Sequence, residues 1–309
     1  QSTDRSEGKE RDGASDLLEA ILDRDNLNKA YKRVRRNHGA AGIDGMTVEE
    51  ALPWLKEHRG ELLQSIREGS YMPNPVRRKE IPKPDGGVRK LGIPTVVDRV
   101  IQQAIAQKLQ NIWEPLFSDS SYGYRPKRSA GQAIQKVKEY AEEGYRYAVS
   151  VDLSKYFDTL NHELLMNLLH KQIQDMRVLS LIKKYLKSGV MENGVVCKTE
   201  EGSPQGGPLS PLLANIYLSE FDWEMNNRGV KLVRYADDIV VFAKSKRAAE
   251  RQLESCRKYL EGRLRLKMNT EKSKVTSVFA QKDFKFLGFC LGKNGNGVYI
   301  RAHRKSLNK

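Results

Sequence analysis

The chain has 309 residues, 39% of them hydrophobic and 30% charged, and 54 Lys and Arg against 39 Asp and Glu give a net charge of +15. This is the composition of a soluble globular protein of two lobes, not of a disordered or fibrous chain, and so positive a field recruits polyanions, nucleic acid ahead of an anionic membrane surface. No apolar run approaches the roughly 20 residues that span a bilayer, and three cysteines and five histidines, all scattered, exclude a disulfide framework and a Cys/His zinc site, which fits a reducing cytoplasm.

Residues 1–14 are polar and mixed in charge, which predicts a mobile leader and not a secretory signal. Residues 15–70 read as helical: Leu17, Leu18, Ile21 and Leu22 sit at helical spacing, and Asp25 or Asn26 can cap a second helix carrying Leu27, Tyr31 and Val34. Lys32, Arg33, Arg35 and Arg36 on that helix are candidate RNA contacts, against the equally weighted alternative of a solvated face. Thr47 and Glu50 have capping-box spacing ahead of Leu52 and Leu55. Val76–Pro82 and Val88–Pro94 are short extended runs joined by Pro84-Asp85-Gly86-Gly87, which predicts a β-hairpin with basic residues on both arms, Arg77 and Arg78 included among the RNA-binding candidates. Helices follow at about 97–113 and 129–143, the latter opened by Ser129 with Gln132, and between them lies the aromatic and basic loop Ser121–Pro126 with Arg125.

From residue 146 the pattern becomes strand, helix, helix, strand pair, helix, strand. Tyr147–Val151 is a buried-strand run ending at Asp152; helices near 161–170 and 175–187, a hairpin around Asn193-Gly194, and a longer helix from about Pro208 come next. Lys231–Tyr235 and Ile239–Phe242 flank Asp237-Asp238 as a hairpin with two carboxylates at its tip, and a helix near 246–262 and β-runs at about 274–279, 284–289 and 297–300 close the chain. If the Asp152 strand neighbours that hairpin, three carboxylates meet at one sheet edge and require a counter-charge. Mg²⁺, which binds one or two carboxylates plus phosphates and water, suits so sparse a set, with Mn²⁺ as a substitute. On its own, an Asp-Asp pair is more often an ordinary turn.

The flanking residues change that weighting. Tyr235-Ala236-Asp237-Asp238 resembles the Tyr-x-Asp-Asp signature of reverse transcriptases, in the form found in group II intron enzymes, and Val151-Asp152-Leu153-Ser154-Lys155-Tyr156-Phe157-Asp158 resembles the polymerase motif bearing the first metal-binding aspartate. The resemblance implies that Asp152, Asp237 and Asp238 hold two metal ions with the Leu153 carbonyl as a further ligand, and that Phe157 is the steric gate excluding a 2′-hydroxyl. Gly202-Ser203-Pro204-Gln205-Gly206-Gly207-Pro208 resembles the Ser-Pro-Gln-Gly motif of the intron class, where the Gln contacts the incoming nucleotide. Arg78–Pro94 looks like the fingers hairpin, with Lys83 and Arg89 where the family binds triphosphate; Leu266–Lys274 resembles the motif whose lysine protonates pyrophosphate, Lys272 here, with Lys267 and Lys274 nearby; Phe286-Leu287-Gly288-Phe289 resembles the primer grip.

The resemblance covers roughly residues 15–300, with seven motifs in family order. It implies an α+β fold, the fingers and palm of a right-hand polymerase: a helical N-terminal extension at 15–70, fingers at 71–145 and an antiparallel palm sheet packed on helices at 146–309, fingers and palm interleaved. The thumb and maturase domain of relatives are expected to lie outside the chain. The implied reaction is template-directed addition of dNTPs to the 3′-hydroxyl of a DNA or RNA primer on an RNA template, with binding of intron RNA for splicing and retrohoming. The alternatives are an RNA-binding maturase with little polymerase activity and another bacterial reverse transcriptase. No membrane partner is expected; a homodimer stays open.

Overall fold

The second N-terminal helix begins where a short side chain can take up free amides. The computed structural model describes residues 16–82, 86–192, 194–203 and 206–307; the expected leader, Lys83 and Gln205 lie outside these. Helix α1 (Leu17–Leu22) gives way at Asp23 to α2 (Arg24–Arg36). The cap is Asp23, whose carboxylate accepts from the amides of Asp25 and Asn26; neither Asp25 nor Asn26 serves, because Asn26 is buried and donates to the carbonyls of Ile21 and Ala104. Thr47 and Glu50 form the expected reciprocal bonds ahead of α3 (Ala51–Arg67).

By internal contacts the chain divides into two units, each built from two stretches: residues 1–115 with 157–213, and 116–156 with 214–309. In the first unit, β1 (Val76–Pro82) and β2 (Val88–Ile93) pair antiparallel, and α4 (Val96–Trp113) follows, buried on every side through Ala106. So buried a helix must satisfy its polar groups internally. Asp98 does so by accepting from Thr95 Oγ1 (2.7 Å), Tyr71 OH (2.5 Å) and the Asn74 amides (3.1 and 3.2 Å). Helices α6 (His162–His170) and α7 (Met176–Leu186) lead to β4 (Val190–Glu192) and β5 (Val195–Cys197). β4 joins β1 in parallel, giving the sheet order β2-β1-β4-β5, and this pairing is what draws residues 157–213 into the first unit.

The second unit is a four-stranded antiparallel sheet in the order β6-β7-β3-β8, formed by β3 (Tyr147–Val151), β6 (Lys231–Tyr235), β7 (Asp238–Ala243) and β8 (Lys274–Ser277). Helix α5 (Ala130–Glu142), opened by the Ser129/Gln132 capping box, packs Ala133, Ile134, Val137 and Ala141 with Ala148, Val233, Val240 and Phe242 of the sheet. Each such large apolar side chain contributes about 1.5–3 kcal/mol on burial. By strand alternation the equally buried Val149, Val151, Ile239 and Val241 face the other side. α9 (Lys246–Gly262) packs on β3, β7 and β8. The helix α8 (Ser210–Asn227) enters this unit at Ala214.

The end of the chain corrects one expectation. The strand read at 284–289 begins only at Phe289: Phe286 and Phe289 exchange both backbone hydrogen bonds (2.9 Å each) around Leu287 and Gly288, at φ 50° and 88°, a tight turn that feeds β9 (Phe289–Asn294) and its partner β10 (Gly297–Ala302).

Candidate active site

The three predicted carboxylates all fall in the second unit. Asp152 directly follows β3 and Asp238 opens β7; Val151 pairs with Ile239, so the next step of the antiparallel register sets Asp152 across from Asp238. Tyr235 pairs with Asp238, leaving Ala236 and Asp237 as a two-residue turn. Ala236 adopts φ 57°, where a residue with a Cβ costs about 1–2 kcal/mol. The Asp238 carboxyl is pushed up to about 6, by loss of hydration first and then by the charges of Asp237 and Asp152, with Lys285 pulling the other way. Its side chain nevertheless remains exposed, so protein flanks it on one side and solvent on the other. Lys285 was not singled out from sequence; its signal was its position next to the primer-grip-like run.

Beneath this turn lies the fully buried Arg234. Its Nε donates to both Asp222 oxygens (2.8 and 3.0 Å), Nη2 to Asp222 Oδ2 (2.6 Å) and Ser121 Oγ (2.9 Å), and Nη1 to Asn215 Oδ1 and the Ala236 carbonyl (2.9 Å each). Asn215 Nδ2 donates in turn to the Gly123 carbonyl (2.7 Å). Gly123 lies so close to the turn that a Cβ on it would sit 2.3 Å from the Ala236 nitrogen, which is why the Ser121–Pro126 loop carries glycine there. Of this set, only the Ser121–Pro126 loop is legible in the sequence; Asp222 and Asn215 sit mid-helix with no local signature.

Asp152 is held by its backbone. Its amide donates to Ser273 Oγ (3.0 Å), its carbonyl accepts from the Asn269 amide (2.8 Å), and Ser154 N donates to the Lys267 carbonyl (2.8 Å). Leu153, itself buried, bridges to Met268. The loop carrying Lys267, Lys272 and Lys274 is thereby stitched alongside Asp152, and all three lysines are exposed.

Of the predicted nucleotide-binding residues, Arg89 and Phe157 are described, and both fall in the first unit. The half-buried Phe157 lies in a short 3₁₀ turn (Tyr156–Asp158), and its carbonyl accepts from Ser203 N (2.7 Å). A Cβ on Gly206, at φ 127°, would lie 2.5 Å from the Gly92 carbonyl of β2. The two ends of the Gln205 loop are thus pinned to the Phe157 turn and to the hairpin strand that carries the exposed Arg89.

The sequence profile described as reverse transcriptase (RNA-dependent DNA polymerase) matches residues 81–291, over half of the chain. The chain belongs to the reverse transcriptase family. Protein YkfC of Escherichia coli K12 is 36% identical over 312 residues, covering 88% of this chain and 81% of that protein. Group II intron-encoded protein LtrA of Lactococcus lactis subsp. cremoris is 37% identical over 268 residues, covering 86% of this chain but 43% of LtrA, so the chain spans less than half of that relative's length. The resemblance to group II intron enzymes read from the motifs is borne out. A telomerase structure from Candida albicans, in complex with a TWJ fragment of telomeric RNA, has a TM-score of 0.58 at 14% identity, covering 72% of this chain and 44% of that one. At that identity it shows the fold alone, the α+β fold of a reverse transcriptase.

Within this reverse transcriptase the candidate RNA contacts divide. Lys32, Arg33, Arg35 and Arg36 are exposed on α2. Arg77 and Arg78 are half-buried, and Arg77 donates twice to the Ala41 carbonyl (2.7 and 3.1 Å). Arg125 takes a different task from the one expected: it is buried, it donates to the carbonyls of Ser118 (2.7 Å) and Ser121 (2.8 Å), and its guanidinium lies over the Phe117 ring, so it holds the loop together. No helix of the described residues is long and apolar enough to cross a membrane.

Proposed function

We propose that this chain is an RNA-directed DNA polymerase of the group II intron type, adding dNTPs to a primer 3′-hydroxyl on an RNA template. The observation that carries the reading is the register that brings Asp152 to Asp238 beside Asp237 at one sheet edge, where loss of hydration first and then the charges of Asp237 and Asp152 push Asp238 up to about 6. Carboxylates arranged at such a cost need a cation. Among the described residues no group of three or more His, Cys, Asp and Glu that could hold a metal ion is formed, so the three aspartates would share an ion only together with water and substrate phosphates. An open set fits Mg²⁺, which keeps much of its water and takes substrate phosphates as ligands. Bound by Asp152, Asp237 and Asp238, two such ions would activate the attacking hydroxyl and neutralise the leaving pyrophosphate.

The remaining roles belong to the chain's own residues. Lys83 and Arg89 neutralise the triphosphate, Phe157 excludes a 2′-hydroxyl, Gln205 contacts the incoming nucleotide, and Lys272 gives a proton to pyrophosphate. The exposed basic face of α2 supports a second role, binding folded intron RNA as a maturase does, at the same time as polymerisation.

Primer extension on an RNA template with Mg²⁺ tests this. Asp237→Ala and Asp238→Ala are expected to abolish extension and leave RNA binding largely intact; mutants as active as wild type would refute the assignment.

A further inference from the structure

Arg234 has no part in the roles above, yet all five of its N–H groups are engaged. Asp222, Asn215, Ser121 and the Ala236 carbonyl accept them. Only the last of these acceptors belongs to the carboxylate turn. We propose that Arg234 is a positioning residue for polymerisation: its fork clamps the Ala236 carbonyl and holds the Ala236-Asp237 turn with Ala236 in its left-handed form, so that Asp237 and Asp238 are presented together against their mutual repulsion. The inference rests on the polymerase reading and deepens it.

Three observations support the clamp. Ala236 sits at φ 57° without being glycine, so the turn is not at rest and needs an outside hold. The rest of Arg234 is immobile: its amide donates to the Ser120 carbonyl and its carbonyl accepts from Tyr122 N (2.8 Å each), so the guanidinium projects from a strand fixed at both backbone groups. Asp222 is itself fully buried and takes three of the guanidinium's contacts, which fixes the plane of the fork. The charge of Asp237 is among those that stabilise the Arg234 cation, so the guanidinium lies within electrostatic reach of the turn as well as within hydrogen-bond reach. A lysine would keep the charge but has three donors on one nitrogen and cannot reach acceptors spread around a plane.

A buried ion pair that merely secures β6 to α8 would have the same contacts, so the test must separate placement from stability. Arg234→Lys is compared with Leu260→Ala, a core truncation in α9 that removes none of the Arg234 hydrogen bonds, with thermal unfolding recorded for both. Primer-extension kinetics and Mn²⁺ binding by electron paramagnetic resonance are then measured well below both transitions. Displacing catalytic groups by about 1 Å costs about 100-fold in kcat; Arg234→Lys is expected to lose that much, to bind Mn²⁺ more weakly and to keep its KM for dNTP. Leu260→Ala should lose comparable thermal stability and keep both kcat and Mn²⁺ affinity. Ser121→Ala, which removes a single acceptor, should move kcat and Mn²⁺ affinity in the same direction by less, and it decides the matter if Arg234→Lys does not fold. Wild-type kcat and Mn²⁺ affinity in the folded Arg234 variant, or in Ser121→Ala, would overturn the inference. So would parallel losses in Leu260→Ala. A wild-type chain that neither extends primers nor binds Mn²⁺ would overturn the polymerase reading itself.

Discussion

Asp238→Asn should make the metal-free protein more stable at neutral and alkaline pH while destroying extension. The folded state raises this carboxyl from 3.8 to about 6, so the folded protein holds the proton more tightly than the unfolded chain. Its stabilising contribution is therefore complete below 3.8 and is lost as pH climbs through about 6, above which the ionised group is a net cost. At 1.36 kcal/mol per unit the whole shift would be worth about 3 kcal/mol. Because the side chain keeps contact with water, screening reduces this to about 1 kcal/mol, which for a chain of this size moves Tm by about 2 °C. Calorimetry of wild type and variant in EDTA, at about pH 4 and about pH 8, checks the window. The variant should melt higher at the alkaline pH and level with wild type at the acid one, and added Mg²⁺ should raise the wild type alone. A variant that melts below wild type at pH ~8 in EDTA, or a gap that ignores pH, would refute the account of why Asp238 is perturbed.

Gly123→Ala places a methyl 2.3 Å from the Ala236 nitrogen, backbone against backbone, so extension should fall about 100-fold with RNA binding retained; an active variant would show that the turn tolerates displacement. Arg125→Ala should lower Tm and leave RNA affinity unchanged, whereas replacing Lys32, Arg33 and Arg36 by Ser should reduce the slope of log K against log salt by about 2 without changing Tm, measured by filter binding. Phe157→Ala should raise ribonucleotide incorporation relative to deoxynucleotide in a competition assay; unchanged sugar selectivity would remove Phe157 from the gate.

Most of the catalytic edge was legible because it is local. Apolar runs ending in aspartate predicted β3 and the β6–β7 hairpin within a residue, while the pairing of β3 with that hairpin stayed conditional, since nothing local fixes which distant strands become neighbours. The capping boxes at Thr47 and Ser129 were legible for the same reason, since three residues decide them. What escaped depends on tertiary neighbours. Asn26 looks like a cap and is a buried donor because α4 supplies the Ala104 carbonyl. Arg125 looks like a phosphate contact and is enclosed by carbonyls of its own loop. Leu287 gives no hint of φ 50°, so the turn before β9 read as strand. Asp222 and Asn215 acquire meaning only when α8 meets the sheet.

The interleaving of the two units has a consequence for how the chain can be made and re-engineered. Residues 1–115 emerge first but lack β4, the strand that extends their sheet from β1, until 157–213 follow, and by then part of the other unit has already been synthesised. A nascent chain therefore carries unfinished sheet edges of both units for much of its synthesis, a state in which chaperone dependence and aggregation are set by translation speed. Exchanging the first unit with that of a relative would likewise need three junctions, after Pro115, Tyr156 and Leu213, since no single crossover point transfers it whole.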